Sequence, residues 1–567
     1  MHYDNPNHPK ITLLNHVQFG WLKDLTDEEE PVKSQNKARV RSNTEHKNYD
    51  PEFIPNVAQS RPRNKENVKR IAIKCSIDEF KEDELVPRPF VLQNFDVTCP
   101  HCGAIRWKNE HVTWPCCLNG RVKLPAVPAL PPELQSLFHS KSAKNRFFLE
   151  HIRKFNSCLA FSSLKCTNIS LNGPRTFRVC GSVHHLVGPL QKQDNAKSTF
   201  SQIYFYEPDD DKRIQIRSDA VGLPISNYTA PLTLELENII KKYNNHYKRF
   251  HTHIEQVRKI QARGGDIPQN LAIVSLGKMH MNPSNHVGRY NDPTVNDVSG
   301  IIRQDVAPEP STREFVVHLR SSGGGAGLQF HPVTNRYYDS LHYVLLFPTG
   351  CEGWHPNIKL ADTRGLTKKN PTVTIRQFYN YHLQLRKVPS PLFFGRKLFL
   401  QYIVDVYSKL ETCKLNFIKN NQSKLRADLY NCLTDNIAGG GEGLARTGKR
   451  VILPSSFKGG NRHMQQLYQD AMAIQRRVKR FPSLFITMTT NSNWSEILDV
   501  CKRFNIPKEF FPMLRGRVFR LKYKELIKDV VSGKAFGECL AHIASTEFQK
   551  RGKLLINLPL INHVPRH

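Results

Sequence analysis

Four cysteines in two pairs are the residues whose type and spacing best suit chemistry in this chain. Cys99-Pro-His-Cys102 places two thiols on one tight turn, and Cys116-Cys117 follow after thirteen intervening residues. Two ligands on a turn plus a second pair at this distance suit tetrahedral zinc, whose thiolate bonds can hold a small module together. Structural Zn2+ on Cys99, Cys102, Cys116 and Cys117 is therefore the expected cofactor. Adjacent cysteines bind one metal less comfortably than a second CxxC pair, so His101 and His111 are alternative ligands. The plain structural alternative is a set of buried free thiols beside a turn.

Other candidates read as structure. Cys158, Cys166 and Cys180 with His184-His185 are spaced irregularly, as core thiols and strand-end histidines are. His251-Thr-His253 lies in a charged helical context and reads as two solvated histidines. The glycine run Gly323 to Gly327 is followed by no GK[ST] string, so it reads as linker and not as a phosphate cradle.

The totals bound the partners. Among 567 residues, 82 Lys and Arg stand against 50 Asp and Glu, and 82 minus 50 gives +32. Such an excess favours phosphate backbones or anionic membrane surfaces. No apolar run is long enough to span a bilayer, and the N-terminus is not basic and then apolar, so membrane insertion and secretion are not expected. Nucleic acid is the expected partner. Thirteen cysteines without a secretory signal argue for reduced thiols and for a nuclear or cytoplasmic compartment.

The elements that must position these residues follow from composition and period. Residues 1–85 are polar, aromatic-poor and aperiodic, and read as a disordered arm. Residues 86–130 are the cysteine-rich, zinc-ribbon-like module, 131–375 a mixed α/β region, and 376–567 a helix-and-strand domain. In that last domain Leu398, Tyr402, Ile403, Val406 and Leu410 form the apolar face of a helix. Lys414, Lys419, Lys424 and Arg426 interleave with Phe417 and Tyr430 in a pattern that can grip a single strand, although aromatics on such a helix more often face the core. Met464, Leu467, Tyr468, Ala471, Ile474 and Val478 mark one face of another helix, stopped by Pro482. Arg476, Arg477, Lys479 and Arg480 crowd its last turns, where cations suit the helix dipole. Leu484 to Thr490 alternates as a strand, and Asn493 with Glu496 reads as a capping box for a helix to about Arg503. Arg515, Arg517, Arg520 and Lys522 stud a basic helix from 515 to 530, and Leu540 to Phe548 reads as a strand.

The strings PSSF-GG-R-M-Q-YQDAMAI, PSLFIT-T-N-NW, RVFRLKYKELIKDV and EFQKRG, together with C-P-x-C-x-A and CC upstream, resemble the Helitron helicase-like N-terminal domain. That domain belongs to the Rep/helicase proteins of rolling-circle Helitron transposons. The resemblance implies an α+β fold with an HUH/Rep-like antiparallel sheet flanked by helices at the C-terminus, preceded by the zinc-binding-like module and the arm. It also implies a partner, single-stranded or transposon-end DNA, which Arg476, Arg477, Lys479, Arg480, Arg515, Arg517, Arg520, Lys522, Lys550 and Arg551 would contact.

In that family EFQKRG leads into a histidine-hydrophobe-histidine pair that, with a carboxylate, holds Mg2+ or Mn2+ against the scissile phosphate. Tyrosine nucleophiles and a helicase with a phosphate-binding loop come further on. Glu547 matches the carboxylate position, but after Gly552 the sequence reads Lys553-Leu-Leu-Ile-Asn-Leu-Pro-Leu-Ile-Asn-His563. His563 and His567 are four apart and the last tyrosine is Tyr523. Codons for Lys-Leu-Leu-Ile read in another frame give Ala-Pro-His, so a frameshift near Lys553 is the expected cause, with a central sheet that loses its last strand. DNA binding without nicking is the expected behaviour; the alternatives are a domesticated non-enzymatic binder and a transposon remnant that does not fold.

Overall fold

The computed structural model describes residues 90–92, 94–108, 110, 116–139, 142–168, 179–187, 203–262, 271–274, 301–303, 316–318, 329–330, 333–364, 371–422, 453–532, 536, 538–548 and 554–562. The N-terminal arm, His111, the Gly323 to Gly327 run, Lys424, Arg426, Tyr430, Lys550, Arg551, His563 and His567 lie outside them. The described chain is α+β, with helices packed on antiparallel sheets.

Strands β1 (Phe95–Thr98) and β2 (Ile105–Trp107) form a hairpin around the first cysteine pair. Helices α1 (Pro132–His139) and α2 (Ala143–Leu159) follow. The Ser142 side chain caps α2 by accepting from the Asn145 amide, and Phe148, Ile152, Phe155 and Leu159 recur every three or four residues along its buried face. Strands β3 (Ser162–Asn168) and β4 (Val179–Val187) pair antiparallel. Helices α3 (Ile203–Tyr206), α4 (Asp210–Val221), α5 (Thr229–Tyr243) and α6 (Asn245–Ala262) come next. Helices α5 and α6 are broken from one another where the Asn244 side chain accepts the His246 and Tyr247 amides. His251 is exposed, as its sequence context implied.

Strands β5 (Leu271–Val274), β6 (Ile301–Arg303) and β7 (Val316–His318) make a small sheet, and β8 (Gln329–Phe330) adds to β4. Helix α7 (Tyr338–His342) opens a run through Phe347 that is almost wholly buried. This run is the middle of the core. Buried polar groups pair around it: His185 on β4 meets Asp405 at 2.6 Å, and Tyr343 donates to the same carboxylate at 2.9 Å. The Asp339 carboxylate accepts from Tyr379 at 2.7 Å and pairs with buried Lys409 at 3.4 Å. Asp405 and Lys409 both project from α9 (Arg396–Asn420), which follows α8 (Ile375–His382). Cys158 is a core thiol, while the side chains of Cys166, Cys180 and His184 are outside the described set.

Two buried histidines make stability pH-dependent. Burial pushes both His246 and His342 down to about 3, so each stays neutral in the folded chain where the unfolded chain titrates near 6.5. The unfolded state therefore binds more protons between those values, and stability falls as pH drops through that window. Each histidine contributes a slope of at most about 1.4 kcal/mol per pH unit. The urea midpoint is expected to hold above pH 7 and fall steadily toward pH 4, with His246→Gln flattening the decline; an unchanged profile in that variant contradicts this assignment.

The C-terminal part runs α10 (Asn461–Val478), β9 (Leu484–Thr489), α11 (Ser495–Arg503), α12 (Pro512–Val531), β10 (Cys539–His542), β11 (Ser545–Phe548) and β12 (Leu554–Asn562). Helix α10 ends on Lys479, at φ 53°, before Pro482 is reached. Its apolar stripe is present but uncovered among the described residues, with Tyr468 62 % and Leu467 48 % exposed. The capping box does not form: Asn493 accepts from Lys508, and Glu496 is drawn away by the Leu92 amide and Lys522. The single strand read from Leu540 to Phe548 is two strands that pair with successive parts of β12.

The expectation of a missing last strand is also corrected. β12 is the centre of the sheet, with β9 on one side and β10 and β11 on the other. Alternation explains it: Ile556, Leu558 and Leu560 are buried beside Phe519 and Val530 of α12, while Leu555, Asn557 and Pro559 point the other way.

Candidate metal centre and its docking

The four cysteine thiols converge. The Sγ atoms of Cys99, Cys102, Cys116 and Cys117 lie within 4.8 Å of one another, a donor set that could hold a metal ion. Sγ of Cys99 and Cys117 are 3.8 Å apart, and those of Cys116 and Cys117 are 3.9 Å apart. Tetrahedral zinc with Zn–S bonds of about 2.3 Å sets its sulfurs about 3.8 Å apart, so the spacing is compatible with structural zinc.

Backbone geometry explains how adjacent cysteines reach one point. Gly103, at φ 70°, closes the first turn, and its amide donates to the Cys99 carbonyl at 2.9 Å. After Cys117, Leu118, Asn119 and Gly120 are all left-handed, at φ 49°, 54° and 85°. This curls the chain so that the Gly120 amide donates to Cys117 Sγ at 3.3 Å. His101 is exposed and lies against Gly120, where an added Cβ would come within 3.1 Å of its Nδ1.

The thiols also show why a cation is wanted. A hydrogen bond from Cys116 draws the Cys102 thiol down to about 5 and pushes Cys116 up, while burial pushes Cys117 up to about 12. With no cation one thiolate is favoured and its neighbours keep their protons; a divalent ion removes that conflict.

The two turn glycines give a graded test. Gly103→Ala meets nothing within 4 Å and is strained only by its φ, whereas Gly120→Ala adds the approach to His101. The first is expected to cost about 1–2 kcal/mol and the second more, with weakened zinc retention. Thermal melts with a zinc-release dye measure both, and equal losses would contradict the role given to the His101 contact.

The module is docked through ions the sequence had assigned elsewhere. Arg517 on α12 is buried, and its guanidinium meets Glu110 at 2.6 and 2.8 Å and the Ile105 carbonyl at 3.2 Å. It also lies 5.2 Å from the ring centres of both Phe95 and Trp107. Arg503 donates to the Phe95 carbonyl, and Arg386 to the Cys102 carbonyl at 2.8 Å. Lys522 pairs with Glu496 at 2.7 Å with 14 % of its side chain exposed. Arg517 and Lys522 thus have protein carboxylates as partners. Arg515 and Arg520 are half-buried on the same helix, and burial lowers the Arg515 pKa. Arg476, Arg477 and Lys479 are exposed at the end of α10, with Arg480 half-buried beside them. Phe417 is 60 % exposed and does not face the core.

Glu547 sits on the outward face of the C-terminal sheet, across from Leu555, and Asn557 lies between Thr487 and Ser545. Positions 555 and 557 are two apart on the face of Glu547, the arrangement a histidine-x-histidine pair would need. They hold leucine and asparagine. His542 is paired with Leu560, on the opposite face. The described residues of this face therefore do not fit a divalent-metal site of two imidazoles and a carboxylate.

An α+β domain with a central antiparallel sheet, a helix beneath it and a four-cysteine module docked on that helix is the class of protein on view. Residues 378–554 match the family described as the Helitron helicase-like domain at N-terminus, and this part of the chain is such a domain. A comparison with curated proteins finds no match. No helix among the described residues is long and apolar enough to cross a membrane.

Proposed function

We propose that this protein binds single-stranded or transposon-end DNA in the nucleus as a relative of the Helitron Rep/helicase proteins, and does not nick it. The observation that carries the reading is the outward sheet face, where Glu547 stands beside Leu555 and Asn557 in place of an imidazole pair. A scaffold that keeps the fold without the metal donors keeps binding and loses chemistry. The net charge of +32 and the exposed Arg476, Arg477 and Lys479 support the binding half. Zinc on the four cysteines is structural, since four thiolates fill a tetrahedral ion and leave no open position.

Binding of a labelled single strand across a salt series tests this. The logarithm of affinity is expected to fall linearly with log salt, and reversal of Arg476, Arg477 and Lys479 to glutamate is expected to reduce the slope by about 2, at roughly 0.7 per lost phosphate contact. A salt-independent affinity, or an unchanged slope in the variant, goes against the reading.

A further inference from the structure

Between the first cysteine turn and helices α1 and α8 lies a cavity of about 570 Å³. Tyr381, Phe394, His139, Arg386 and Lys387 are among the residues that line it, and no Asp or Glu does so among the described residues. The Arg386 guanidinium lies 4.4 Å above the Tyr381 ring centre and is fixed there by donating to the Cys102 and Tyr381 carbonyls. The His139 and Phe394 rings meet edge to face at 4.6 Å. Ser390 also lines the cavity.

We propose that this cavity takes one unstacked nucleobase of a bound single strand, with Lys387 at its rim meeting the adjoining phosphate. The inference rests on the DNA-binding reading above and assigns it a site. Flat aromatic walls and a guanidinium held in plane offer π-faces to a base of any sequence. A cavity of this size is within the range that accommodates a nucleotide-sized ligand. A purely apolar ligand would not need the arginine, and an acidic peptide would not fill the aromatic walls.

The test uses the full zinc-loaded chain and a single-stranded oligodeoxythymidylate in which one base is 5-iodouracil. Irradiation is expected to cross-link the base to Tyr381, Phe394 or His139, as located by mass spectrometry. Lys387 and Gln135 are exposed at the rim, so Lys387→Glu and Gln135→Trp are expected to leave the melting curve unchanged. Each is expected to remove that cross-link and weaken binding on the order of ten-fold at fixed salt. Tight binding with cross-links confined to α10 or α12 overturns the cavity assignment and leaves the DNA-binding reading standing. Failure of the oligonucleotide to bind at all overturns both.

Discussion

Cys102→Ser is expected to strip the protein of its metal and cost more than about 4 kcal/mol, the largest effect of any single change considered. The four sulfurs lie within 4.8 Å of one another, and the Cys102 carbonyl also anchors Arg386. Removing one thiolate leaves a three-ligand site with poor retention, and the two turns lose the bond that holds them together. Bound zinc is expected to fall from about one per chain to near zero. A chelator should reproduce the loss in the unaltered protein and add nothing in the variant. Cys158→Ser is the control, because that buried thiol is far from the cluster in function: it donates to the Phe155 carbonyl and lies in the main core. It should lower the melting temperature without changing the zinc content. No zinc in the unaltered protein would show that the cluster is only a set of packed thiols, and full zinc content in Cys102→Ser would show that the metal is held elsewhere.

Arg517→Ala carries the second largest expectation, a loss of about 3–5 kcal/mol. The cost arises because Glu110 would remain as a buried charge with no cation beside it, held only by the Trp107 amide, and the rings of Phe95 and Trp107 would lose the cation beside them. Replacing both partners, Arg517→Met with Glu110→Leu, is expected to recover part of the loss, since no buried charge is left unpaired while the Trp107 amide and the Ile105 carbonyl lose their side-chain partners. Exposed arginines behave differently. Arg476→Ala and Arg477→Ala should leave stability within about 0.5 kcal/mol and weaken DNA binding. A stable Arg517→Ala protein with weakened DNA binding would reverse this division of labour.

Arg517 also shows where sequence reading stops. A run of Arg515, Arg517, Arg520 and Lys522 on one helix reads as a nucleic-acid surface, yet Arg517 and Lys522 have carboxylate partners at Glu110 and Glu496. Glu110 is 407 residues away in sequence, and no local pattern announces such a pair. The Tyr338 to Phe347 run hides its role for a related reason. Asp339, Ser340 and His342 look solvated as letters, but buried partners on distant segments, among them Tyr379, Lys409 and His246, satisfy the polar groups of Asp339 and Ser340. What was legible rested on spacing that is local. The CxxC and CC pairs gave the cluster, the period of α9 gave its buried face, and the alternation of β9 gave Ile486 and Met488 to the sheet interior. The β12 strand fell between these cases. Its apolar alternation is there in Ile556, Leu558 and Leu560, but the break in the family's histidine string masks it.

The central claim is that the scaffold binds DNA and does not cut it. The most direct measurement follows one end-labelled single strand with the full chain, in Mg2+ and in Mn2+, reading retention and cleavage on the same sample. The account predicts salt-sensitive retention of the intact strand, with no nicked product and no covalent protein–DNA species in either metal. Metal-dependent nicking would contradict it, because the face around Glu547, Leu555 and Asn557 offers no imidazole pair to support that chemistry.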